Sequence, residues 1–367
     1  MDDLRGVHPA GAGSRLDGNG VQFLPKPGVS PPPGVSALSW MVSDVRSGKI
    51  LAAKAAHRQL PPASTLKTLF AVTLLPKFPQ RARWIVSNED LVGIEAGSSL
   101  VGIKEGGRYS VADLWNGVFL SSGGDAVHTL ATMNGGWKKT VADMQAMAKR
   151  LGARDTAVRS ADGFDAPGQH SSAYDLSLFG KAGLTNRDFA RFASTKWARF
   201  PEAGGKDAFG IQNTNRLLVG ARGVEAYRGL IGVKNGYTTQ AGNTLVTAAQ
   251  RNGRTLLVTV MNPQSGTENA VYDETRSLLD WGFAAAPRAA AVGMLPTPSP
   301  AGPRNEAGNA VRTAHGGQLP AGERRTGSPA PFLWTLTAVG VVSLAGLGAG
   351  MWWRRKQRGP ADPGTPA

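Results

Sequence analysis

The strongest constraint on this fold is a pair of hairpin signatures at opposite ends of one block of sequence. Near the start, Ala37–Val45 is β-rich, and Ser47-Gly48 separates it from Lys49–Lys54. Near the end, residues 243–262 form two apolar runs around Asn252-Gly253, a strong two-residue hairpin turn. Glu268–Phe283 then carries helical periodicity, and alternating and helical segments lie between the hairpins. Strands from both ends of a block, with helices between them, predict an antiparallel sheet built from the two termini and covered by helices. The expected class is α+β, with one folded unit over residues 37–286.

Composition sets the limits of that unit. Residues 1–36 are rich in Gly and Pro and close with Pro31-Pro32-Pro33, so they read as a disordered lead-in. Residues 287–330 hold seven Pro, seven Gly and no Phe, Trp or Tyr, which predicts a disordered linker. Phe332–Trp353 is a run of 22 residues without a charge, enough at about 1.5 Å per residue to cross a hydrocarbon core of about 30 Å. Residues 331–353 are therefore expected to be a transmembrane helix, with Trp334, Trp352 and Trp353 at its interfaces. Residues 354–367 are a short basic tail, and Arg354, Arg355, Lys356 and Arg358 predict that it stays cytoplasmic. The folded unit would then lie outside the cytoplasm on a single-pass anchor. No apolar stretch of about 7–15 residues follows Met1-Asp2-Asp3, so no secretory signal is legible, and export is expected to depend on sequence upstream of Met1.

The chain has no cysteine, which excludes disulfides, thiolate metal sites and a cysteine nucleophile. Its five histidines, His8, His57, His128, His170 and His315, show no metal-motif spacing, so neither a metal nor a cofactor is expected. The formal charge of +15 comes without Lys/Arg runs longer than three residues and without a DNA-binding motif. An anionic wall or membrane face accounts for it, and nucleic acid is not an expected partner.

Three motifs carry chemistry. Pro61-Pro62-Ala63-Ser64-Thr65-Leu66-Lys67 contains S-x-x-K. Prolines can open a helix, and residues i and i+3 share a helix face, so Lys67 can reach the Ser64 hydroxyl. A serine needs an adjacent base, and a neutral lysine is one if burial or a second cation lowers its pKa. A capping serine beside a solvated lysine has the same pattern. Lys234-Asn235-Gly236-Tyr237-Thr238, if a strand, puts Lys234, Gly236 and Thr238 on one face and Asn235 on the other. Lys234 and Thr238 would there hold a carboxylate, Gly236 would let substrate approach the backbone, and Lys234 would help keep Lys67 neutral. Asn-Gly also reads as an ordinary turn. Ser121-Ser122-Gly123-Gly124-Asp125-Ala126 follows an apolar run and could place Ser122 as a proton relay, or simply form a Gly-rich loop.

The order of these motifs, S-x-x-K, then S-x-G where S-x-N is usual, then K-N-G where K-T-G is usual, resembles the penicillin-recognising serine acyltransferases. Gly97–Leu114, Asp162–Leu176 with Gly163-Phe164-Asp165-Ala166-Pro167-Gly168, Asn213–Leu218 and Leu279–Gly282 make the chain similar to D-alanyl-D-alanine carboxypeptidases of the penicillin-binding-protein-five type, over about residues 37–286. The resemblance implies a β-lactamase/transpeptidase-like fold, in which an antiparallel sheet flanked by helices faces a mainly helical lobe across a crevice. It implies acylation of Ser64 by peptidoglycan stem peptides ending in D-Ala-D-Ala, and by β-lactams. Lys67 would be the base, Ser122 the relay, and the Ser64 and Thr238 N–H groups the oxyanion hole. Lys234, Thr238 and Arg216 would hold the terminal carboxylate, and Gly124 stands where an amide would contact substrate. Losing that amide implies a rate penalty of roughly ten- to a hundredfold. Asn235 in place of Thr is expected to matter less. No additional β-rich domain of the kind common in the family is expected after Phe283. The rival readings are a catalytically impaired penicillin- or peptidoglycan-binding protein, a cross-link endopeptidase, and a class A-like β-lactamase. The last is disfavoured by the lack of a Glu in Gly163–Asp175.

Overall fold

The computed structural model describes residues 15–205 and 207–296. The expected membrane span, the basic tail and most of the linker lie outside the described residues. Among the described residues no helix is long and apolar enough to cross a membrane.

The chain opens with strands β1 (Val21–Phe23), β2 (Ser39–Asp44) and β3 (Lys49–Lys54). A 3-10 turn, Ala63–Leu66, runs into helix α1 (Lys67–Leu74). A small ladder, β4 (Arg83–Ile85) and β5 (Arg108–Ser110), precedes α2 (Val111–Leu120), α3 (Gly124–Met133) and α4 (Trp137–Arg150). Helices α5 (Ala173–Leu184) and α6 (Arg187–Ser194) lead to a hairpin, β6 (Trp197–Pro201) with β7 (Ala208–Gln212), and to the short α7 (Arg216–Val219). Strands β8 (Leu230–Thr238), β9 (Gly242–Arg251) and β10 (Arg254–Met261), helix α8 (Ala270–Ala285) and strand β11 (Gly293–Met294) complete it.

The main sheet is antiparallel, in the order β1-β3-β2-β10-β9-β8, with β11 also on β3. The two expected hairpins form where their turn residues allow. Asn252 and Gly253 both take positive φ, 49° and 76°, as a tight hairpin between twisted strands requires. Period-2 alternation then divides the strands between two cores. Trp40, Val42, Leu256, Val258 and Val260 pack under α8 with Val271, Leu278 and Leu279. Met41, Leu257 and Met261 face the other way, into the larger core built on α1, α2, α5 and α6. Both faces of the sheet are therefore dry, and the predicted antiparallel α+β architecture is what the sequence forms.

The ordered body is wider than residues 37–286. Strand β1 lies in the segment expected to be a disordered lead-in, and β11 in the segment expected to be linker. Both pair with the same side of β3, β1 against Ala52–Lys54 and β11 against Lys49 and Ile50. Leu16, Val292 and Leu295 are buried behind them. Two very short strands cover an edge that would otherwise expose its backbone groups, which overrides the Pro/Gly-rich composition around them.

Candidate active site

Strand β8 is the far edge of the sheet, and the 3-10 turn carrying Ser64 is pressed against it. Ala63 takes φ +49°, a left-handed conformation that an alanine adopts only under constraint, and it aims the next residue out of the turn. The half-buried Ser64 precedes Lys67, the first residue of α1, by almost one turn. Lys67 Nζ lies 2.9 Å from Ser64 Oγ and donates 2.7 Å to the main-chain oxygen of Asp162. The lysine is only 4% exposed. Burial lowers its pKa below the ordinary lysine value, while the nearby carboxylates of Asp162 and Asp125 pull the other way.

Lys234-Asn235-Gly236-Tyr237-Thr238 lies on a strand, not on a turn. A Cβ built on Gly236 would come within 2.6 Å of the Ser64 nitrogen and 3.0 Å of Ala63 Cβ, so a glycine is what permits the strand to lie against the turn. Lys234 is buried, and its Nζ donates 2.7 Å to the Asn235 main-chain oxygen. Burial, then the charge of Lys67, hold its pKa well below that of a free lysine. Two buried ammonium groups near one another are costly, and an arriving anion would relieve both. Asn235 faces Thr214, whose hydroxyl donates to its Oδ1 at 3.0 Å, and approaches the Tyr272 hydroxyl at 3.5 Å, as the alternation predicts. Its Oδ1 also stays 3.5 Å from Lys234 Nζ.

Ser122 sits on the turn between α2 and α3 at φ +58°, 7% exposed, and its Oγ has no hydrogen-bond partner among the described residues. A buried unsatisfied hydroxyl on a strained residue is the state of a group awaiting a partner. Gly124 opens α3, its N–H donating 2.6 Å to the Ser99 oxygen, and a Cβ there would lie 3.4 Å from Ser98 Cβ and the Ser99 oxygen and 3.8 Å from Asp162 Oδ2. Asp125 anchors the loop over the crevice by accepting from the N–H groups of Val101, Gly102 and Ile103 at 3.0, 2.8 and 2.9 Å.

The structure thus brings Ser64, Lys67, Lys234 and Gly236 together, and Asp162 lies between Lys67 and the Gly124 end of α3. The Arg216 guanidinium pairs with Glu268 at 2.9 Å, donates to Asn269 at 2.5 Å and stacks over Tyr272. It lies in a recess also lined by Thr214, Asn235, Gly236 and Tyr272. Two residues near the site carried no role in the sequence reading. Asp165 accepts from the Thr238 hydroxyl at 2.7 Å, where a substrate carboxylate was expected, and Asp162 backs Lys67. Both fall in the Asp162–Leu176 stretch, so the signal was present without a contact to interpret it.

The profile of a family described as D-alanyl-D-alanine carboxypeptidase matches residues 27–265. The chain is 37% identical over 271 residues to D-alanyl-D-alanine carboxypeptidase DacB2 of Mycobacterium tuberculosis, a match covering 73% of this chain and 89% of that protein. It is 33% identical over 276 residues to DacD of Escherichia coli, covering 71% of this chain and 66% of that one. Among solved structures, a D-alanyl-D-alanine carboxypeptidase from Mycobacterium tuberculosis superposes with TM-score 0.67 at 36% identity, over 74% of this chain and all of that one. A Streptomyces DD-transpeptidase superposes with TM-score 0.64 at 26% identity, over 70% of this chain and all of that one.

Proposed function

The chain belongs to the D-alanyl-D-alanine carboxypeptidase family of serine peptidases, and from that premise we propose that it removes the terminal D-Ala of peptidoglycan stem peptides through an acyl-enzyme on Ser64. The observation that carries this reading is the 2.9 Å contact between Ser64 Oγ and the buried amine of Lys67. Burial favours the neutral amine, and a neutral amine in hydrogen-bond reach is what a serine nucleophile needs.

Ser64 Oγ attacks the carbonyl carbon of the penultimate D-Ala while its proton passes to Lys67 Nζ. The carbonyl oxygen becomes an oxyanion, with the N–H groups of Ser64 and Thr238 as its donors; the close approach of Gly236 to the Ser64 nitrogen supports this reading. The C–N bond then breaks, and the proton returns through the Ser122 hydroxyl to the departing amine. Water repeats the sequence on the ester and releases the shortened peptide. Lys234 and Thr238 receive the terminal carboxylate, which takes the Thr238 hydroxyl from Asp165. β-Lactams would acylate Ser64 by the same first step. The anchor at Phe332–Trp353 would hold the domain on the outer face of the cell membrane, within reach of the wall.

The test is release of D-Ala from diacetyl-Lys-D-Ala-D-Ala, with fluorescent penicillin labelling in parallel. Release and labelling that both vanish in Ser64→Ala support the reading. Labelling without release would identify a binding protein disabled at Gly124, and rapid turnover of the penicillin would identify a β-lactamase.

A further inference from the structure

The single proton of the Thr238 hydroxyl is already committed. Oγ1 donates 2.7 Å to Asp165 Oδ1 and accepts from the Ala241 N–H at 3.1 Å. A threonine carries one O–H, so a second acceptor can be served only if Asp165 gives the hydrogen bond up. Alternation along β8 puts Thr238 on the face shared by Lys234 and Gly236, so this contact stands on the reactive side of the strand. Asp165 Oδ2 accepts from the Gln240 N–H at 3.3 Å, and the carboxylate thereby spans the end of β8 and the turn into β9.

The loop that carries Asp165 is tied down on both sides. Gly163 takes φ +83°, and a Cβ there would collide with the Ala63 oxygen in the turn that presents Ser64. The Phe164 N–H donates 3.0 Å to Asp162 Oδ1, and the Phe164 oxygen accepts from Gln169 Nε2 at 2.7 Å. The Gln169 N–H donates 3.0 Å to the Ala166 oxygen. The backbone around Asp165 is therefore fixed against the nucleophile's own turn, and the side chain is what remains free to rotate. Both donors to its carboxylate are neutral, and no Lys, Arg or His pairs with it among the described residues. An anion without a counter-cation thus holds the hydroxyl that the peptide's carboxylate needs. Two carboxylates cannot both take that one proton, and close together their charges repel.

We propose that Asp165 is a specificity-determining residue: it occupies Thr238 in the free protein as a built-in competitor of the substrate carboxylate, and so weighs the site against peptides with a charged C-terminus relative to peptides with a neutral one. On binding, the peptide carboxylate takes over the hydrogen bond from Thr238, and the Asp165 side chain turns away on its fixed backbone. A peptide that ends in a carboxamide brings no charge against Asp165, and its NH₂ offers that carboxylate a donor in place of Thr238. Run backwards, the same exchange clears the departed D-Ala from Lys234 before water enters. The inference rests on the reading of Ser64 as nucleophile and of Lys234 and Thr238 as hosts of the terminal carboxylate.

The test uses the full chain and two peptides, diacetyl-Lys-D-Ala-D-Ala and its C-terminal carboxamide, from which D-Ala and D-alaninamide are released. Asp165→Asn keeps the shape of the side chain and removes its charge. The ratio of kcat/KM for the carboxylate peptide to kcat/KM for the carboxamide should rise at least about fivefold, carried by a lower KM for the carboxylate peptide. A variant that merely loosened the loop would lose on both peptides together. A ratio that is unchanged or falls overturns the proposal, and so does an equal gain on both peptides. If Asp165→Asn does not fold, as judged by its melting temperature, Asp165→Ala takes its place with the same expectation, since it removes the competitor outright. Lys234→Ala guards the premise. If it leaves KM for the carboxylate peptide unchanged, the carboxylate is not received beside Lys234, and the reading of the site falls and takes the proposal with it. A native chain that releases neither product and that penicillin never labels would remove the Ser64 reading itself.

Discussion

Replacing Gly236 with alanine tests the central geometric claim, that β8 and the Ser64 turn are held at a separation no side chain can share. The added Cβ would sit 2.6 Å from the Ser64 nitrogen, 2.8 Å from Thr244 Oγ1 and 3.0 Å from Ala63 Cβ. Ordinary contact begins at 3.4 Å, so the strand and the turn must part by 3.4 − 2.6 = 0.8 Å. None of the three neighbours is the far end of a flexible side chain. The Ser64 nitrogen is backbone, Ala63 is held in its left-handed conformation, and Thr244 Oγ1 already bonds the oxygens of Pro62 and Gly236 at 3.0 and 3.3 Å. A displacement close to 1 Å at a reacting centre costs on the order of a hundredfold. Overpacking of this kind costs about 1–3 kcal/mol of stability. The expected Gly236→Ala variant therefore folds, melts several degrees lower, and loses about a hundredfold in both penicillin acylation and D-Ala release. Because the displaced groups are the nucleophile and one oxyanion donor, the loss should fall on the acylation rate at saturation as well as on apparent affinity. A variant acylated within about threefold of the native rate would refute the reasoning, since the contact would then not set the geometry.

Three further outcomes follow from the site and its surroundings. Ser122→Ala should lower D-Ala release by about 10²–10⁴-fold, measured at saturation, while leaving the melting temperature unchanged or slightly higher, because the hydroxyl it removes has no partner in the fold. Arg216→Ala should leave KM for a carboxylate-ended peptide within about threefold, whereas Lys234→Ala should raise it at least about tenfold, as the charge-assisted contact is lost. The Asp175 carboxyl is pushed up to about 7, chiefly by burial and then by Asp155, so the folded protein binds this proton more tightly than the unfolded chain does. Stability from this group is complete below about pH 4 and is lost as the pH climbs to about 7. Asp175→Asn should accordingly gain on the native protein across that window, by on the order of 2 kcal/mol in urea unfolding at pH 8, with little difference at pH 4.

What could be read from the sequence was whatever depends on neighbours along the chain. The β9–β10 hairpin was legible because Asn252-Gly253 states its turn, and the Ser64–Lys67 contact because three residues of helix geometry bring the two together. The alternation along β8 was legible once a strand was assumed. Strands β1 and β11 were not, because two or three residues in a Pro-rich setting become strands only when β3 offers them an edge. Asp162 and Asp165 were not, since each meets its partner, Lys67 or Thr238, across 95 and 73 residues of chain. The partners of Arg216 were not legible for the same reason, since Asn269 meets it across 53 residues of chain.

The shared use of β3 by both ends of the described chain has a mechanical consequence. Strand β3 and strand β8 are separated by β2, β10 and β9, four inter-strand steps of about 4.8 Å, or about 19 Å of hydrogen-bonded sheet. A pull on the chain beyond Pro296 enters the domain at β11, two residues long, and is resisted first by the few bonds that hold it to β3. That strand can peel away while Ser64, Lys67 and Lys234 keep their places at the opposite edge. Under such a pull the domain would release first at β11, and its reactive edge is separated from that point by the width of the sheet.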